Sequence, residues 1–399
     1  MPTQVVTMNR PLVSVAMVVC NVERYLAEAI ESILGQTFRD FEFVIVDFGS
    51  TDRTKSIISE YQIKDGRIKF HNLPQDGLGH ASNAAGSFLQ DRYIAARNAA
   101  GFLAQGQYIA VMDADDLAVG DRLRWQVEFM EKHPKVGVLG GAVEFMTCSS
   151  ESHAAGDGAP QIAPPTLEDR EIRSALLYRC PFWHPTVFLR TEAFVSAGGY
   201  RRALAGAEDY DLWLRIGERY RLANLEQVVL RYRIHPGQVS QRKLKQSTLG
   251  FLAARTAASY RKNGSPDPLN SVGEITTAVL AELGVSEPAV QRALAVSYTH
   301  WIRNSTLMNQ HSAALDLTME MLDSSAWKYA DRQVLADLRL LVAQARWRQK
   351  KWLQSVFWAF HAFITRPVLI GRPLKPLLRR LRLGFAGETP LSPRVNGGI

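Results

Sequence analysis

Apolar runs and amphipathic stretches alternate along the first part of the chain. Runs rich in β-branched residues lie at Val13 to Val19, Phe41 to Asp47 and Tyr108 to Met112, and their lengths suit buried strands. Stretches with the helical spacing of apolar residues follow the first two runs, from about Glu23 to Gly35 and from about Thr51 to Tyr61. Because strands that alternate with helices usually pair in parallel, this pattern predicts a parallel sheet.

The alternation continues with shorter elements. Further strands are predicted at Arg67 to His71 and Gly137 to Met146, with a turn leading into a strand at Cys180 to Arg190, and the segment Val228 to Ser240 closes the unit. Further helices are predicted at Asp121 to Lys132, Leu167 to Tyr178, Glu192 to Ala197 and Ala207 to Glu218, and a mobile loop at Ser149 to Pro165. From about Thr248 every predicted element is a helix. We therefore predict a mixed, mainly parallel α/β domain over residues 1–240 and an all-helical region over residues 241–399.

The strand that begins at Tyr108 runs into three carboxylates within four residues, Asp113, Asp115 and Asp116. Open α/β sheets bind ligands at the carboxyl ends of their strands, and close carboxylates repel one another unless a cation neutralises them. Hard oxygen ligands suit Mg²⁺ or Mn²⁺, which complete their shell with water and phosphate oxygens. The alternative is a solvated acidic turn that caps the helix beginning near Asp121.

A second strand end also has features of a binding site. In the segment Asp47 to Thr54 a strand-end carboxylate is followed by Gly49 and by a cluster of Ser, Thr and Asp at the start of a helix. A helix start of this kind is expected to leave backbone N–H groups free for an anion. The segment therefore predicts a turn that can hold a nucleotide.

Composition limits the class of protein. Hydrophobic residues make up 46% of the 399 residues, which is ordinary for a globular protein. The three cysteines, Cys20, Cys148 and Cys180, are widely spaced, so neither a disulfide framework nor a zinc site is predicted and a reducing cytoplasm fits best. The apolar stretch from Leu12 to Cys20 indicates a first strand and not a signal peptide. No stretch reaches the roughly 18 to 20 apolar residues of a membrane span.

The net charge of +8 is concentrated at the C-terminal end. Residues 332–399 hold 13 lysines and arginines against two acids, whereas the rest of the chain holds 34 against 37. Aromatic residues accompany this charge at Trp347, Trp352, Phe357, Trp358, Phe360 and Phe363. Aromatics with basic flanks suit the headgroup region of an anionic bilayer, so we predict peripheral association with the inner face of the cytoplasmic membrane. A helical domain free in solution and a partner-binding surface are the alternatives; no nucleic-acid partner is expected, because no recognised nucleic-acid motif is present.

Five motifs resemble, in order and spacing, those of the inverting family 2 glycosyltransferases, which have the GT-A fold. They are the opening VSVAMVV to DFGSTDRT segment, IAARNAAG followed by DADD and GDRL, HPTVFLR with GGY, AEDYDLWLR, and LRYRIHPGQVS. The resemblance covers roughly Pro11 to Ser240. It implies a metal-dependent inverting glycosyltransferase that moves a sugar from a nucleotide-sugar donor, in the first place a UDP-sugar, to a hydroxyl of a glycan or lipid-linked acceptor. Cell-surface polysaccharide or glycolipid synthesis is the process implied.

The resemblance also assigns roles. Asp113 and Asp115 match the DXD motif that holds the ribose and the Mn²⁺ or Mg²⁺ ion, with Asp116 a further ligand or helper. Asp209, preceded by Glu208, matches the general base. The implied nucleotide-sugar site consists of Val19, Asn21, Asp47, Phe48, Ser50, Arg97, Asp113 and Ala114.

Some of these roles have alternatives. His235 matches a metal or phosphate ligand or is a structural loop histidine. Trp183 and His184 match pocket walls or a packed turn, and Arg97 is a nucleotide contact or a surface arginine.

One departure from the family pattern concerns the end of the second strand. The family usually has two acids there, and this chain has Asp47 followed by Phe48. Phenylalanine can stack but cannot accept a hydrogen bond, so the base of the donor is left open, and a residue of the segment Gly77 to Asp91 is a candidate for its recognition. A degenerate transferase fold that acts as a nucleotide- or glycan-binding scaffold is the alternative function.

Overall fold

The computed structural model describes residues 10–73, 85–147, 161–234, 244–307 and 311–366, with the backbone alone at 85–90, 147 and 307. The chain divides into two compact units, Met1–Val290 and Gln291–Ile399.

The described strands of the first unit form one nine-stranded sheet with the order β3-β2-β1-β4-β8-β6-β9-β5, and β7 pairs with β6. The strands are β1 (Val13–Val19), β2 (Phe41–Asp47), β3 (Ile68–Asn72), β4 (Tyr108–Asp113), β5 (Leu117–Ala118), β6 (Val136–Thr147), β7 (Ile162–Ala163), β8 (Phe188–Arg190) and β9 (Arg221–Ile234). Strands β1, β2, β3 and β4 are parallel to one another, and β9 is parallel to β6. Strand β8 is antiparallel to both β4 and β6. This confirms the predicted mixed, mainly parallel α/β class.

Helices flank the sheet. They are α1 (Leu26–Leu34), α2 (Thr54–Lys64), α3 (Ala85–Leu103), α4 (Arg122–Lys132), α5 (Asp169–Ala175), α6 (Thr191–Ser196), α7 (Glu208–Gly217), α8 (Leu244–Lys262) and α9 (Thr277–Glu282). A 3-10 turn, His184–Thr186, precedes β8. The apolar face of α1 illustrates why these helices form, because Leu26, Ile30 and Ile33 repeat at helical spacing and are completely buried. Burial of each such side chain stabilises the fold by about 1.5–3 kcal/mol.

The strand register places the predicted site residues at one edge. Val19 at the end of β1 lies opposite Asp47 at the end of β2, and Val18 lies opposite Asp113 at the end of β4. Gly106 sets the entry to β4, since a Cβ there would lie 2.7 Å from the backbone nitrogen of Ser14. Its N–H donates to Ser14 Oγ at 2.8 Å, which holds β4 against β1. The three strand ends therefore meet at the carboxyl edge of the sheet.

Helices α8 and α9, which lie beyond residue 240, belong to the first compact unit. Helix α8 packs closely on the start of α7, because a Cβ on Gly250 would lie 2.8 Å from the Cβ of Ala207. The ring centroids of Tyr210 and Phe251 are 4.3 Å apart in the same contact. The predicted division into residues 1–240 and 241–399 stays a prediction, and the compact unit that holds the sheet extends past it.

The second unit contains helices alone among its described elements. They are α10 (Glu287–Leu307, which begins before the division), α11 (His311–Asp323), α12 (Arg332–Arg348) and α13 (Trp352–Thr365), with a 3-10 turn at Ala326–Tyr329. Asp331 caps α12 by accepting from the N–H of Gln333 at 2.7 Å. The predicted helical C-terminal region is thereby confirmed. No helix in the described parts of the chain is both long and apolar enough to cross a membrane.

Some predictions differ from the structure or fall outside it. The predicted loop Ser149 to Pro165 contains the short strand β7, which pairs with β6 through Ala163 and Val143. The segment Gly77 to Asp91, the candidate for base recognition, lies outside the described residues up to residue 84. From residue 85 to residue 90 only its backbone is described. His235 and the rest of the segment to Ser240 also lie outside the described residues.

Candidate active site

The acidic turn after β4 lies half inside the protein. Asp113 and Asp115 are half-buried, whereas Ala114 and Asp116 are buried. The N–H of Asp116 approaches the carbonyl oxygen of Asp113 at 3.4 Å, which closes the turn. The alternative of a solvated acidic turn is therefore wrong, and the acids share a poorly solvated strand end.

Asp113 carries a perturbed carboxyl group. Burial, opposed by the charge of Arg97 and aided by that of Asp115, raises the pKa of Asp113 to about 6. The Nη2 atom of Arg97 lies 3.8 Å from Asp113 Oδ1, and the Nδ1 atom of His184 lies 3.9 Å from the same oxygen. This carboxylate therefore has one cation within ion-pair distance and a neutral imidazole beside it.

Asp116 points into the protein. Its Oδ1 accepts from the backbone N–H of Arg233 at 2.8 Å, and Oδ2 has no hydrogen-bond partner among the described residues. Burial, together with the charges of Asp115 and Asp113, raises the pKa of Asp116 well above its ordinary value. Arg233 also donates from Nε to the carbonyl oxygen of Asp115 at 2.8 Å and from Nη2 to Glu28 at 2.9 Å. Strand β9 thus anchors the acidic turn.

Arg97 on α3 connects the acidic turn to α7. Its Nη1 donates to Glu208 Oε1 at 3.0 Å, and its guanidinium lies over the ring of Tyr93 at 4.2 Å. Burial alone would lower the pKa of Arg97, but Tyr93, Glu208 and Asp113 raise it above its ordinary value, so the side chain stays positive. The side chain of Arg97 is only 9% exposed, so the alternative of a surface arginine is wrong. The nucleotide contact of Arg97 remains a prediction.

The acids of α7 face the same cluster. Glu208 Oε2 accepts from the N–H of Gly206 at 2.6 Å, and Gly206 has a φ of +90°, a conformation that glycine adopts readily. Asp209 is half-buried, and its Oδ1 accepts from the N–H of Tyr210 at 2.7 Å. Burial and the charge of Glu208 raise the pKa of Asp209 to about 6, against the opposing charge of Arg97. A carboxylate with this pKa can accept a proton near neutral pH.

An aromatic wall stands beside these acids. His184 Nε2 lies 3.1 Å from the hydroxyl oxygen of Tyr200, and burial followed by the charge of Arg97 lowers the pKa of His184 well below its ordinary value. Tyr200 is held in place by Asn98, which accepts from its N–H at 2.7 Å and donates to its carbonyl oxygen at 2.9 Å. Trp183 packs against the rings of Phe145 and Tyr232 at 5.5 and 5.4 Å. His184 thus lies in the acidic cluster, and Trp183 lies in an adjoining aromatic cluster.

The turn after β2 is held by side chains from two segments. Asp47 is completely buried, and its Oδ1 accepts from the N–H groups of Gly49 and Ser50 at 2.9 and 3.1 Å. Asn21 at φ +54° accepts from the N–H of Thr51 at 2.8 Å, and its own N–H donates to Ser50 Oγ at 3.0 Å. The N–H groups of Asp52, Arg53 and Thr54 donate to Asn21, Glu23 and Asp52 respectively. The expectation of free N–H groups at this helix start is therefore wrong.

Phe48 lies beside this turn and is half-exposed. Its ring centroid is 5.8 Å from that of Tyr93, which itself contacts Arg97. Its N–H donates to the carbonyl oxygen of Val19 at 3.1 Å, so the backbone of Phe48 continues the β1–β2 pairing. Arg92 is buried behind the turn, and a Cβ on Gly49 would lie 3.3 Å from its guanidinium.

The structure brings together most of the predicted site residues and adds others. Asp113, Arg97, His184 and Glu208 form one contact cluster, while Asn21, Asp47 and Ser50 form the adjoining turn. Sequence reasoning gave no role to Tyr93, Tyr200 and Arg233, which contact the predicted site residues. The i,i+4 spacing of Tyr93 and Arg97 was a usable signal. Tyr200 and Arg233 lie within the quoted motifs GGY and LRYRIHPGQVS, but no local pattern identifies their partners.

The chain was compared with known proteins. The model of the family described as Glycosyl transferase family 2 matches residues 14–95 and 90–187. An uncharacterized glycosyltransferase of Methanocaldococcus jannaschii is 34% identical over 261 residues, which are 64% of this chain and 82% of that protein. The O-antigen biosynthesis glycosyltransferase WbnJ of Escherichia coli is 27% identical over 62% of this chain and 92% of its own length. The amylovoran biosynthesis glycosyltransferase AmsE of Erwinia amylovora is 28% identical over 55% of this chain and 74% of its own length.

These matches agree with the structure. The mixed sheet with flanking helices is the GT-A architecture that the sequence resemblance implied. The matched residues include the acidic turn and the His184 turn. The chain belongs to glycosyltransferase family 2 and is a glycosyltransferase.

Proposed function

We propose that this enzyme transfers a sugar from a nucleotide-sugar donor to a hydroxyl of a glycan or lipid-linked acceptor, with inversion at the anomeric carbon. The observation that carries the proposal is the placement of Asp209. It is a half-buried carboxylate with a pKa of about 6, beside a Glu208–Arg97 pair that reaches Asp113 on the acidic turn. A proton acceptor and a strand-end acidic cluster thus belong to one network.

The reaction is a single displacement. Asp209 takes the proton of the acceptor hydroxyl while that oxygen attacks the anomeric carbon and forms the new glycosidic bond. The bond from the anomeric carbon to the phosphate oxygen breaks, and the nucleoside diphosphate leaves with the electron pair. Arg97 remains positive and balances the charge of Glu208. Because of this balance, the repulsion between Glu208 and Asp209 does not hold the base Asp209 in its protonated form.

The acidic turn fits a divalent cation. Asp113 and Asp116 have raised pKa values because close carboxylates share a buried strand end, and Asp116 Oδ2 lacks a hydrogen-bond partner within the described chain. Mn²⁺ or Mg²⁺ held by Asp113 and Asp115, with Asp116 in support, would neutralise the leaving diphosphate.

The described part of the chain offers this cation few ligands. No group of three or more His, Cys, Asp or Glu side chains placed to hold a metal ion occurs among the described residues. Phosphate oxygens and water would therefore complete the shell, so we expect cation binding to depend on the nucleotide. His235, the other predicted ligand, remains a prediction outside the described residues.

The proposed process is synthesis of a cell-surface polysaccharide or glycolipid. Two of the relatives reported above carry names from O-antigen and amylovoran biosynthesis. UDP is the nucleotide first expected for the donor, although Phe48 leaves the base open. The enzyme reading is favoured over a degenerate scaffold because the carboxylates of both the acidic turn and α7 are retained in one cluster.

Thermal unfolding with nucleoside diphosphates and Mn²⁺ tests the proposal, since a ligand that binds the folded state raises Tm. UDP, GDP, dTDP and CDP are compared with and without the cation. We expect one nucleotide to raise Tm only with the cation present, and Asp115→Ala to abolish that rise.

Two variants separate binding from transfer. Asp209→Asn should retain the rise in Tm and lose transfer by orders of magnitude, because it keeps the shape of the side chain without the base. Asp316→Asn, an exposed acid on α11, is the matched control and should behave as wild type. Transfer by the Asp209→Asn variant at the native rate would show that the base has been assigned wrongly.

A further inference from the structure

Helix α13 presents an apolar surface to solvent. Its exposed side chains include Leu353 at 89%, Val356 at 62% and Phe360 at 61%. Residues three and four positions apart lie on the same side of a helix. The resulting surface, called the α13 face below, consists of Trp352, Leu353, Val356, Phe357, Phe360 and Ile364. No charged residue occurs anywhere between Trp352 and Thr365.

The opposite side of α13 is fixed to α12. Ser355 Oγ donates to the carbonyl oxygen of Ala343 at 2.7 Å, and Ala362 is completely buried. Arg339 Nη1 on α12 donates to the carbonyl oxygen of His361 at 3.2 Å. Because these contacts hold the polar and small side of α13 against α12, the α13 face points away from α12. Contiguous apolar surfaces of this kind usually mark an interaction site.

The charged residues that flank α13 in the sequence are basic. A basic segment consists of Arg346 and Arg348 in the last turn of α12 and of Lys350 and Lys351 just before α13. Trp347 joins this basic segment to the α13 face, since its ring centroid is 4.2 Å from that of Trp352. In the sequence, no acidic residue occurs between Asp337 and Glu388, whereas eleven lysines and arginines do. A binding partner of the α13 face must therefore offer both an apolar region and negative charge.

We propose that the α13 face docks on an anionic lipid bilayer, with α13 lying in the plane of the headgroups. Bulky apolar side chains would enter the boundary between headgroups and acyl chains, and tryptophan at positions 347 and 352 would sit at headgroup level. The basic segment would contact lipid phosphates. A second copy of the chain fits less well, because face-to-face pairing would bring two identical basic segments together.

Sedimentation of the full-length protein with vesicles tests this proposal without any measurement of turnover. The vesicles contain phosphatidylglycerol mixed with phosphatidylcholine, or phosphatidylcholine alone, at low and high salt. We expect binding to the anionic vesicles that weakens at high salt. A double variant of Leu353→Ser and Phe360→Ser should bind at least about tenfold more weakly, because it removes two apolar insertions.

Charge is tested separately with Arg348→Gln and Lys351→Gln, both exposed. Binding to anionic vesicles should fall by about fivefold per removed charge at low salt. Matched controls are Ile63→Ser at 87% and Val296→Ser at 71% exposure for the apolar changes, and Arg170→Gln for the charge changes. These controls should bind as wild type does.

Three results would overturn the proposal. The first is failure of the wild-type protein to bind anionic vesicles at low salt. The second is equal binding by the Leu353→Ser, Phe360→Ser variant. The third is a change of oligomeric state in that variant without a change in vesicle binding, which would identify the α13 face as a contact between copies of the chain. Because vesicle binding is independent of the nucleotide tests above, failure here leaves the proposed glycosyl transfer unaffected.

Discussion

At the scale of single residues, Asp209 determines the expected pH dependence. Its pKa is raised from the ordinary value of 3.8 to about 6 by burial and by Glu208. Because the base must be ionised to accept a proton, kcat/KM should fall as the pH decreases through about 6. The measurement is a pH profile at saturating donor, since Asp113, a proposed donor-site residue, also has a pKa of about 6.

The same shifts predict the direction of the stability change. A raised carboxyl pKa in the folded state favours the protonated form, so this contribution to stability is complete below pH 3.8 and is lost as the pH rises through about 6. Asp209→Asn should therefore reduce the loss of stability between pH 4 and pH 7 and remove the acid limb of any residual activity profile. An unchanged acid limb would assign it to another group.

Phe48 provides a second test at this scale. Its ring is half-exposed beside the β2 turn and contacts Tyr93, and we predict that it stacks on the base of the donor. Phe48→Asp should change the order of affinities for UDP, GDP, dTDP and CDP with Mn²⁺, measured by the rise in Tm. Phe48→Leu serves as the control because it keeps an apolar side chain. An unchanged order and unchanged affinities in both variants would assign Phe48 to packing alone.

At the scale of elements, the junction between β1 and α2 depends on Asn21. Its side chain accepts from Thr51 and Asp52, and its φ of +54° is unfavourable for most residues. Asn21→Ala should lower the free energy of unfolding by about 1–3 kcal/mol, because it removes two side-chain hydrogen bonds and adds backbone strain. The measurement is denaturant unfolding.

Two other substitutions separate these causes. Asn21→Asp keeps the acceptor oxygen and tolerates positive φ, so it should be close to wild type. Asn21→Gly keeps the backbone conformation without the side-chain hydrogen bonds. Equal stability of the glycine variant and wild type would show that these hydrogen bonds contribute nothing.

At the scale of the whole molecule, the chain consists of two compact units, and the described site residues lie in the first. Multidomain chains often unfold in more than one transition. We expect two transitions in calorimetry, of which a nucleoside diphosphate with Mn²⁺ raises only one, because ligand binding stabilises the unit that binds it. Asp115→Ala should remove this shift and leave the other transition in place. An equal rise of both transitions would contradict independent unfolding of the units.

The sequence by itself determined the α/β class, the position of the acidic turn and the family. These features depend on local patterns. Apolar runs such as Val13 to Val19 and the amphipathic stretches between them can be identified without knowledge of the rest of the chain. The order of the five motifs was likewise readable without coordinates. The apolar run was predicted to end at Met112 with the carboxylates at its end, and the structure extends β4 by one residue to Asp113.

Only the tertiary structure decided which side chains become hydrogen-bond and ion-pair partners. Arg97 meets Glu208 across 111 positions of sequence, and Asp116 meets Arg233 across 117. No local pattern specifies such partners, because they depend on the order of strands in the sheet and on which polar groups burial leaves in need of a hydrogen bond. The turn after β2 shows the same limit. Its N–H groups looked free in sequence, yet Asn21 and Glu23, about 30 residues earlier, reach them because β1 lies beside β2.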